Sequence, residues 1–384
     1  RDLHRLIRRQ RQMCIRDRYS HPSKPYNGFN QEPLIERPRS SKKVWYWHRI
    51  DEPILIDLEK LPNNHIAIFG ASGTGKSSLA KSIIYQIHNI YGYSFLILDH
   101  HNEYIDLVEK LGKKIQILDA LHASINPFEL SENISPKQRA IELADTLQAI
   151  FSLGHIQRQY LEELFLETYK FKGIFEDNKD TWSLPAPSFN DVLMVLDSLE
   201  GELLENAKPI YERLRPYIRL LALDVFTETR LSIHDLLYKP TIILLASMPS
   251  DYVKALYVDT LLHKIVNTMY GLKRKTRTII AIDEAHLLFR RNRSKLLISR
   301  LLMESRKYGI GLIMISQQPL SLSESVLMNS ALRISFLIKE YKNLDYLAKS
   351  IAGYTSYGKI GALKLALSSL HQHQAIIDIP DGIY

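Results

Sequence analysis

Apolar positions along this chain fall into two alternating regimes. Short continuous runs occur at Ile66–Phe69, Phe95–Leu98, Ile115–Leu118, Ile242–Ala246, Ile279–Ile282, Ile310–Ser316 and Ile334–Ile338. Gln116 and Ser335 are their polar interruptions, and runs apolar on both faces predict strands of a buried, mostly parallel sheet. Between several of them apolar residues recur at helical spacing, as at Leu79, Ile83, Ile87 and Ile90. From Pro127 to about Leu237 the pattern is amphipathic helix, with Tyr160, Leu161, Leu164, Phe165 and Tyr169 on one face. The pattern predicts an α/β fold in which residues 53–130 and 238–384 build the core and 131–237 form an inserted helical subdomain.

The beginning of the chain has a different character. Met13-Cys14-Ile15-Arg16-Asp17-Arg18 reads as translated sequencing-adaptor sequence, so residues 1–18 are set aside from fold reasoning and the native N-terminus is expected to be missing. Residues 19–52 read as a linker or a truncated N-terminal domain. His21 to Lys43 is polar and carries four prolines, while Val44–Trp47 and Pro53–Ile56 are short strand-like runs ending in the turn Leu61-Pro62-Asn63-Asn64.

Setting aside residues 1–18 changes the charge. They hold seven Arg and two Asp, so the net charge of +8 becomes 8 − 5 = +3 for the remainder. Charge alone therefore argues weakly for nucleic acid, and the function must come from motifs. No apolar stretch approaches the roughly 20 residues that span a bilayer, and no secretory leader opens the chain. The lone cysteine, Cys14, cannot form an internal disulfide. A cytoplasmic location with no membrane partner is the expectation.

Gly70-Ala71-Ser72-Gly73-Thr74-Gly75-Lys76-Ser77 satisfies G-x-x-x-x-G-K-[ST] between a strand and a helix, and with Ser78 it forms the expected nucleotide-contacting stretch. Its glycines let successive backbone N–H groups turn inward around phosphates, and the helix N-terminus favours their charge. Lys76 is expected on the β- and γ-phosphates of ATP and Ser77 on Mg²⁺. Asp283-Glu284 closes another apolar run. Asp283 is assigned to Mg²⁺ through water and Glu284 to the attacking water, the division that hydrolysis needs. Gln317, after Ile310–Ser316, stands where ligands of open α/β sheets gather and is a candidate γ-phosphate sensor.

With these elements in this order, the chain resembles the HerA-type branch of the HerA–FtsK superfamily, which implies a RecA-like P-loop NTPase fold. Leu98-Asp99-His100-His101-Asn102-Glu103-Tyr104 is similar to the family's D-x-H-G-E-Y segment, with Asn102 in place of Gly. Ser124–Leu130 is similar to its N-P-F-D-L turn, Gly154–Gln157 to a helix start in its insertion, and Glu304–Gly309 to its R-K-x-G element. The resemblance implies a DNA translocase or helicase working on duplex DNA as a homo-hexamer, with a NurA-like nuclease partner. It also implies an N-terminal β-barrel, of which only a short stump precedes the ATPase here. A conjugation- or secretion-type ATPase and a non-motor P-loop NTPase are the competing readings.

His100, His101 and Glu103 are too tightly spaced on one strand end to supply a metal cage. A role beside the nucleotide is expected instead for Asp99 or Glu103. Arg306, with Lys307, follows an amphipathic stretch and is assigned as an arginine finger toward a neighbouring subunit. Arg290, Arg291, Arg293 and Lys295 form a basic loop after the Asp283-Glu284 strand and are the candidate DNA phosphate contacts. Lys273, Arg274, Lys275 and Arg277 precede that strand and are expected at the opposite sheet edge.

Overall fold

Apolar runs without polar alternation need cover on both faces, and the arrangement that supplies it is seen in the computed structural model, which describes residues 13–14, 55–112, 115–131, 134–199, 207–289, 292–322, 324–353, 356–379 and 382–383. The expected linker up to residue 52, the run Val44–Trp47, and Arg290 and Arg291 lie outside the described residues. Met13–Cys14, set aside above, pair antiparallel with Leu55–Ile56 in a short separate ribbon.

The described strands of the main sheet are β1 (Ile66–Phe69), β2 (Ser94–Asp99), β3 (Gln116–Asp119), β4 (Thr241–Leu244), β5 (Thr278–Ile282), β6 (Ile310–Ser316), β7 (Leu332–Ser335), β8 (Ile376–Ile379) and β9 (Gly382–Ile383). They lie in the order β9-β8-β7-β1-β6-β5-β2-β4-β3. From β7 to β3 every pairing is parallel. β8 and β9 add an antiparallel margin.

The described helices are α1 (Lys76–Tyr91), α2 (Leu107–Leu111), α3 (Pro136–Phe151), α4 (His155–Phe171), α5 (Phe189–Leu199), α6 (Lys208–Leu221), α7 (Ile233–Tyr238), α8 (Asp251–Tyr270), α9 (His286–Phe289), α10 (Asn292–Glu304), α11 (Glu324–Asn329), α12 (Tyr341–Ala352) and α13 (Tyr357–Ser369). Pleating divides each strand between two cores. Ile66 and Ile68 of β1 join Ile83, Ile84 and Ile87 of α1 on one face, while Ala67 and Phe69 join the larger cluster with α8 and α10 on the other.

Helices α3 to α7 lie between β3 and β4. Their hub is the Asn126-Pro127-Phe128 turn. Asn126 Nδ2 donates to the carbonyls of Pro187 and Thr227, both at 2.8 Å, and its Oδ1 accepts from Phe128 N–H. Phe128 meets Phe165, Tyr169 and Phe189 edge-on. Gln157 Oε1 accepts the Gly154 N–H at 3.0 Å and starts α4.

Two runs differ from their expected form. Ile115–Leu118 was expected to be buried on both faces, but β3 is the sheet edge and Ile117 is 40% exposed. The run Ile334–Ile338 contributes only its first two residues to a strand, because β7 ends at Ser335 and the chain then crosses the Gly70–Gly75 loop. There Phe336 N–H donates to Phe69 O and Leu337 O accepts from Ala71 N–H.

Candidate nucleotide site

Parallel strands deliver their C-terminal ends to one edge, and the turn from β1 to α1 occupies the middle of that edge. Gly70, Gly73 and Gly75 all have positive φ, at 153°, 74° and 110°. The Thr74 hydroxyl and Lys76 Nζ both donate to Ala71 O at 2.8 Å, which closes the loop on itself. Lys76 is buried at the first position of α1, Ser77 is half-buried beside it, and Ser78 is exposed. Ala71 is half-buried, and Ser72 and Gly73 are exposed. Burial lowers the Lys76 pKa, while the nearby Glu284, Asp283 and Glu103 carboxylates oppose that shift.

Asp283 and Glu284 follow β5 directly and both are buried. Their environments push them apart. Burial and the neighbouring Glu284 lift the Asp283 carboxyl to about 7. Burial also pushes Glu284 up, but His286, Gln317 and Lys76 together more than reverse this and hold it below the usual glutamate range. Gln317 Nε2, at the end of β6, donates to Glu284 Oε1. His286 Nδ1 lies 3.1 Å from Glu284 Oε2, a close polar contact whose alignment falls short of a hydrogen bond. Glu284 itself has φ +48°, a left-handed backbone that a glutamate rarely adopts.

A buried Asp283 whose proton affinity is raised by a second carboxylate is relieved by a divalent cation, so Ser77 and Asp283 fit Mg²⁺ chemically. A cavity of about 50 Å³ adjoins the pair, lined by His100, Asp251, Lys254, Asp283, Glu284 and Leu287. It has room for water. A wider groove of about 450 Å³ runs past Ala71, Ser72, Gln317, Gln318, Lys339 and Glu340.

Asp99 and Glu103, the two candidates for a role beside the nucleotide, differ in their surroundings. Its carboxylate is fully buried and accepts the backbone N–H groups of His101, Glu103 and Tyr104 at 3.2, 3.0 and 2.9 Å. Asp99 shapes the turn after β2. Glu103 is exposed and acts on Lys76 and Asp283 through its charge. No group of three metal-competent side chains is present among the described residues.

Arg306 and Lys307 are exposed on the 3-10 turn Ser305–Tyr308 that feeds β6, at the sheet edge opposite the Gly70–Gly75 loop. Lys273, Arg274, Lys275 and Arg277 are exposed at that same far edge, where Thr276 N–H donates to Tyr308 O at 2.7 Å. Arg293 and Lys295 lie in the first turn of helix α10 rather than in the expected basic loop.

His286 is a neighbour of Glu284 that sequence reasoning passes over. Its signal was its position two residues after Glu284, but the contact depends on how α9 starts.

Comparison with known proteins agrees with this arrangement. The chain is 26% identical over 332 residues to a DNA double-strand break repair helicase HerA of Saccharolobus solfataricus, covering 82% of this chain and 61% of the relative. It is 25% identical over 312 residues to the Sulfurisphaera tokodaii protein of the same name, covering 74% and 57%. The chain thus spans about three fifths of these relatives' length. Among solved structures it superposes on VirB4 of Thermoanaerobacter pseudethanolicus with a TM-score of 0.68, 19% identity, and 86% and 92% coverage. It superposes on the bacterial conjugative coupling protein TrwB with a TM-score of 0.60, 15% identity, and 85% and 84% coverage. At such identities the likeness shows the fold, that of a RecA-like P-loop ATPase. No described helix is long and apolar enough to cross a membrane. Since the model for the central domain of helicase HerA matches residues 48–265, more than half of the sequence, the chain belongs to the HerA central-domain family.

Proposed function

We propose that this chain is an ATP-hydrolysing motor that moves along duplex DNA as a homo-hexameric ring in the cytoplasm. One observation carries the chemistry: a buried Glu284 carboxylate, kept ionised by its neighbours and held by Gln317, beside a phosphate-binding lysine. Such a group polarises a water for attack on a γ-phosphate. Lys76 would bind the β- and γ-phosphates, and Ser77 and Asp283 would hold Mg²⁺, which would supply charge neutralisation at the phosphoryl oxygens. Gln317 senses the γ-phosphate through its bond to Glu284. The repair-helicase names of the sequence relatives support DNA as the track over a conjugation or secretion role. The basic segment Arg290, Arg291, Arg293 and Lys295 would contact its backbone, and a NurA-like nuclease would process its ends.

Nucleotide affinity and turnover, with and without duplex DNA, test the reading. Lys76→Ala should abolish binding, whereas Glu284→Gln should bind normally and lose turnover by ~10²- to 10⁴-fold. Duplex DNA should stimulate the parent. A Glu284→Gln protein hydrolysing at the parent rate removes Glu284 from its role, and a parent indifferent to DNA removes the motor.

A further inference from the structure

Because β8 runs antiparallel to β7, its N-terminal end at Ile376 stands opposite Ser335, on the nucleotide edge of the sheet. The loop that joins α13 to β8 is thereby brought to the phosphate-binding loop. It is closed by the His371 N–H bond to Gln374 Oε1 at 2.9 Å and the Gln374 N–H bond to His371 O at 3.1 Å. Two contacts then cross between the loops. Gln372 Nε2 donates to Gly73 O at 3.1 Å, and His373 N–H donates to Thr74 O at 3.1 Å. His373 holds φ +65°, and its Nδ1 stands 2.7 Å from where a Cβ on Gly75 would be.

We propose that Gln372 and His373 are positioning residues that hold the phosphate-binding loop in its working shape. In a trans peptide the carbonyl and the following N–H point in opposite directions, and no described peptide here is cis. Fixing Gly73 O and Thr74 O toward the 371–374 loop therefore aims the N–H groups of Thr74 and Gly75 the other way. Those are donors the Gly-rich motif turns toward phosphates. The left-handed His373 backbone presents its own N–H to Thr74 O, and the imidazole packs against a site that admits only glycine. The clamp approaches from the β7–β8 side, while Glu284 and Gln317 approach from the β5–β6 side, so binding and hydrolysis are held by separate walls.

The inference rests on the nucleotide reading above, and its test separates the two. Equilibrium binding of a fluorescent ATP analogue with Mg²⁺ and steady-state hydrolysis would be measured on the full chain. Gln372→Leu removes the donor, leaving a shorter apolar side chain, and His373→Val places a β-branched residue at a left-handed position. Each should raise Kd and KM by ~3- to 10-fold, the scale of one hydrogen bond, with kcat within twofold, and Gln372→Leu, which adds no backbone strain, should also leave the nucleotide-free melting temperature unchanged. His373→Asn, which tolerates the left-handed backbone, should behave as the parent. Parental affinity in both Gln372→Leu and His373→Val overturns the clamp. A loss of kcat in either variant, or of melting temperature in Gln372→Leu, in step with affinity also overturns it, in favour of a purely structural loop. A parent chain that binds the analogue no better than Lys76→Ala sinks the nucleotide reading itself.

Discussion

Glu284 illustrates how much of a site lies in one residue's surroundings. A non-glycine residue in left-handed backbone costs ~1–3 kcal/mol and persists only when neighbours over-determine it. Here they do. Its N–H donates to Asp283 Oδ1 at 3.0 Å, its carbonyl accepts from Leu287 N–H at 2.9 Å, and Ala285 N–H is tied to Ile315 O at 2.8 Å. The carboxylate is then gripped by Gln317 and faced by His286. His286→Ala should leave nucleotide affinity unchanged and lower kcat by up to ~10²-fold, the effect of a small misplacement of a reacting group. Unchanged kcat in that variant would exclude His286 from positioning Glu284. At this scale the sequence was legible where adjacency carried meaning, as in Asp283-Glu284. It was silent on the turn around Asp99, whose three backbone partners no motif announces. Asn102, standing where the family has Gly, adopts φ +60°, a conformation that Asn tolerates.

At the scale of elements, hydrophobic runs located the strands because burial on both faces leaves an unbroken apolar signature. β1 and β6 have the ends their runs suggest, and β5 and β2 extend them by one or two residues. The runs could not reveal where a strand leaves the sheet, as β7 does at Ser335, since Phe336 and Ile338 are buried by other contacts. The clamp was equally hidden: Gln372 and Gly73 are 299 residues apart, and His-Gln-His-Gln has no periodicity. His65, just before β1, carries a prediction of its own. It is fully buried, and its Nδ1 accepts the Leu312 N–H of β6 at 3.1 Å. Burial, aided by the Arg306 charge, lowers its pKa from 6.5 to about 4. Its folded pKa is depressed, so its stabilisation is complete above pH 6.5 and is lost as pH falls toward 4, by about 3 kcal/mol across that window. His100 is also lowered to about 4 and loses stability with the same sign. The comparison must therefore be internal. His65→Gln keeps an acceptor without titrating, and its urea midpoint should fall less than the parent's between pH 7 and pH 5. Parallel falls would clear His65 of the effect.

The whole molecule sorts its chemistry between two edges of one sheet, and that sorting decides how Arg306 can act. β6 runs seven residues from Ile310 to Ser316, about 23 Å of extended chain, with Gln317 on Glu284 at one end and Arg306 before the other. Gly309, at φ +78°, makes the tight turn between them. A Cβ there would stand 1.8 Å from Thr276 O, so the Arg306 turn is pinned to the loop bearing Arg277. No side chain reaches from that edge to its own phosphate-binding loop. If Arg306 completes a catalytic site, the site belongs to a second copy of the chain. The Arg306→Ala protein should then bind nucleotide with parental affinity and hydrolyse ~10³- to 10⁵-fold more slowly. Mixing supplies the decisive measurement. With parent chain held constant, added Arg306→Ala chains that co-assemble should depress the parent's turnover, because each places a fingerless surface against an intact site. A Glu284→Gln chain, which retains Arg306, should depress it less. Turnover that depends only on the amount of parent chain, whatever is added, would mean that Arg306 serves its own fold, through the His65 pocket it faces, and no neighbour.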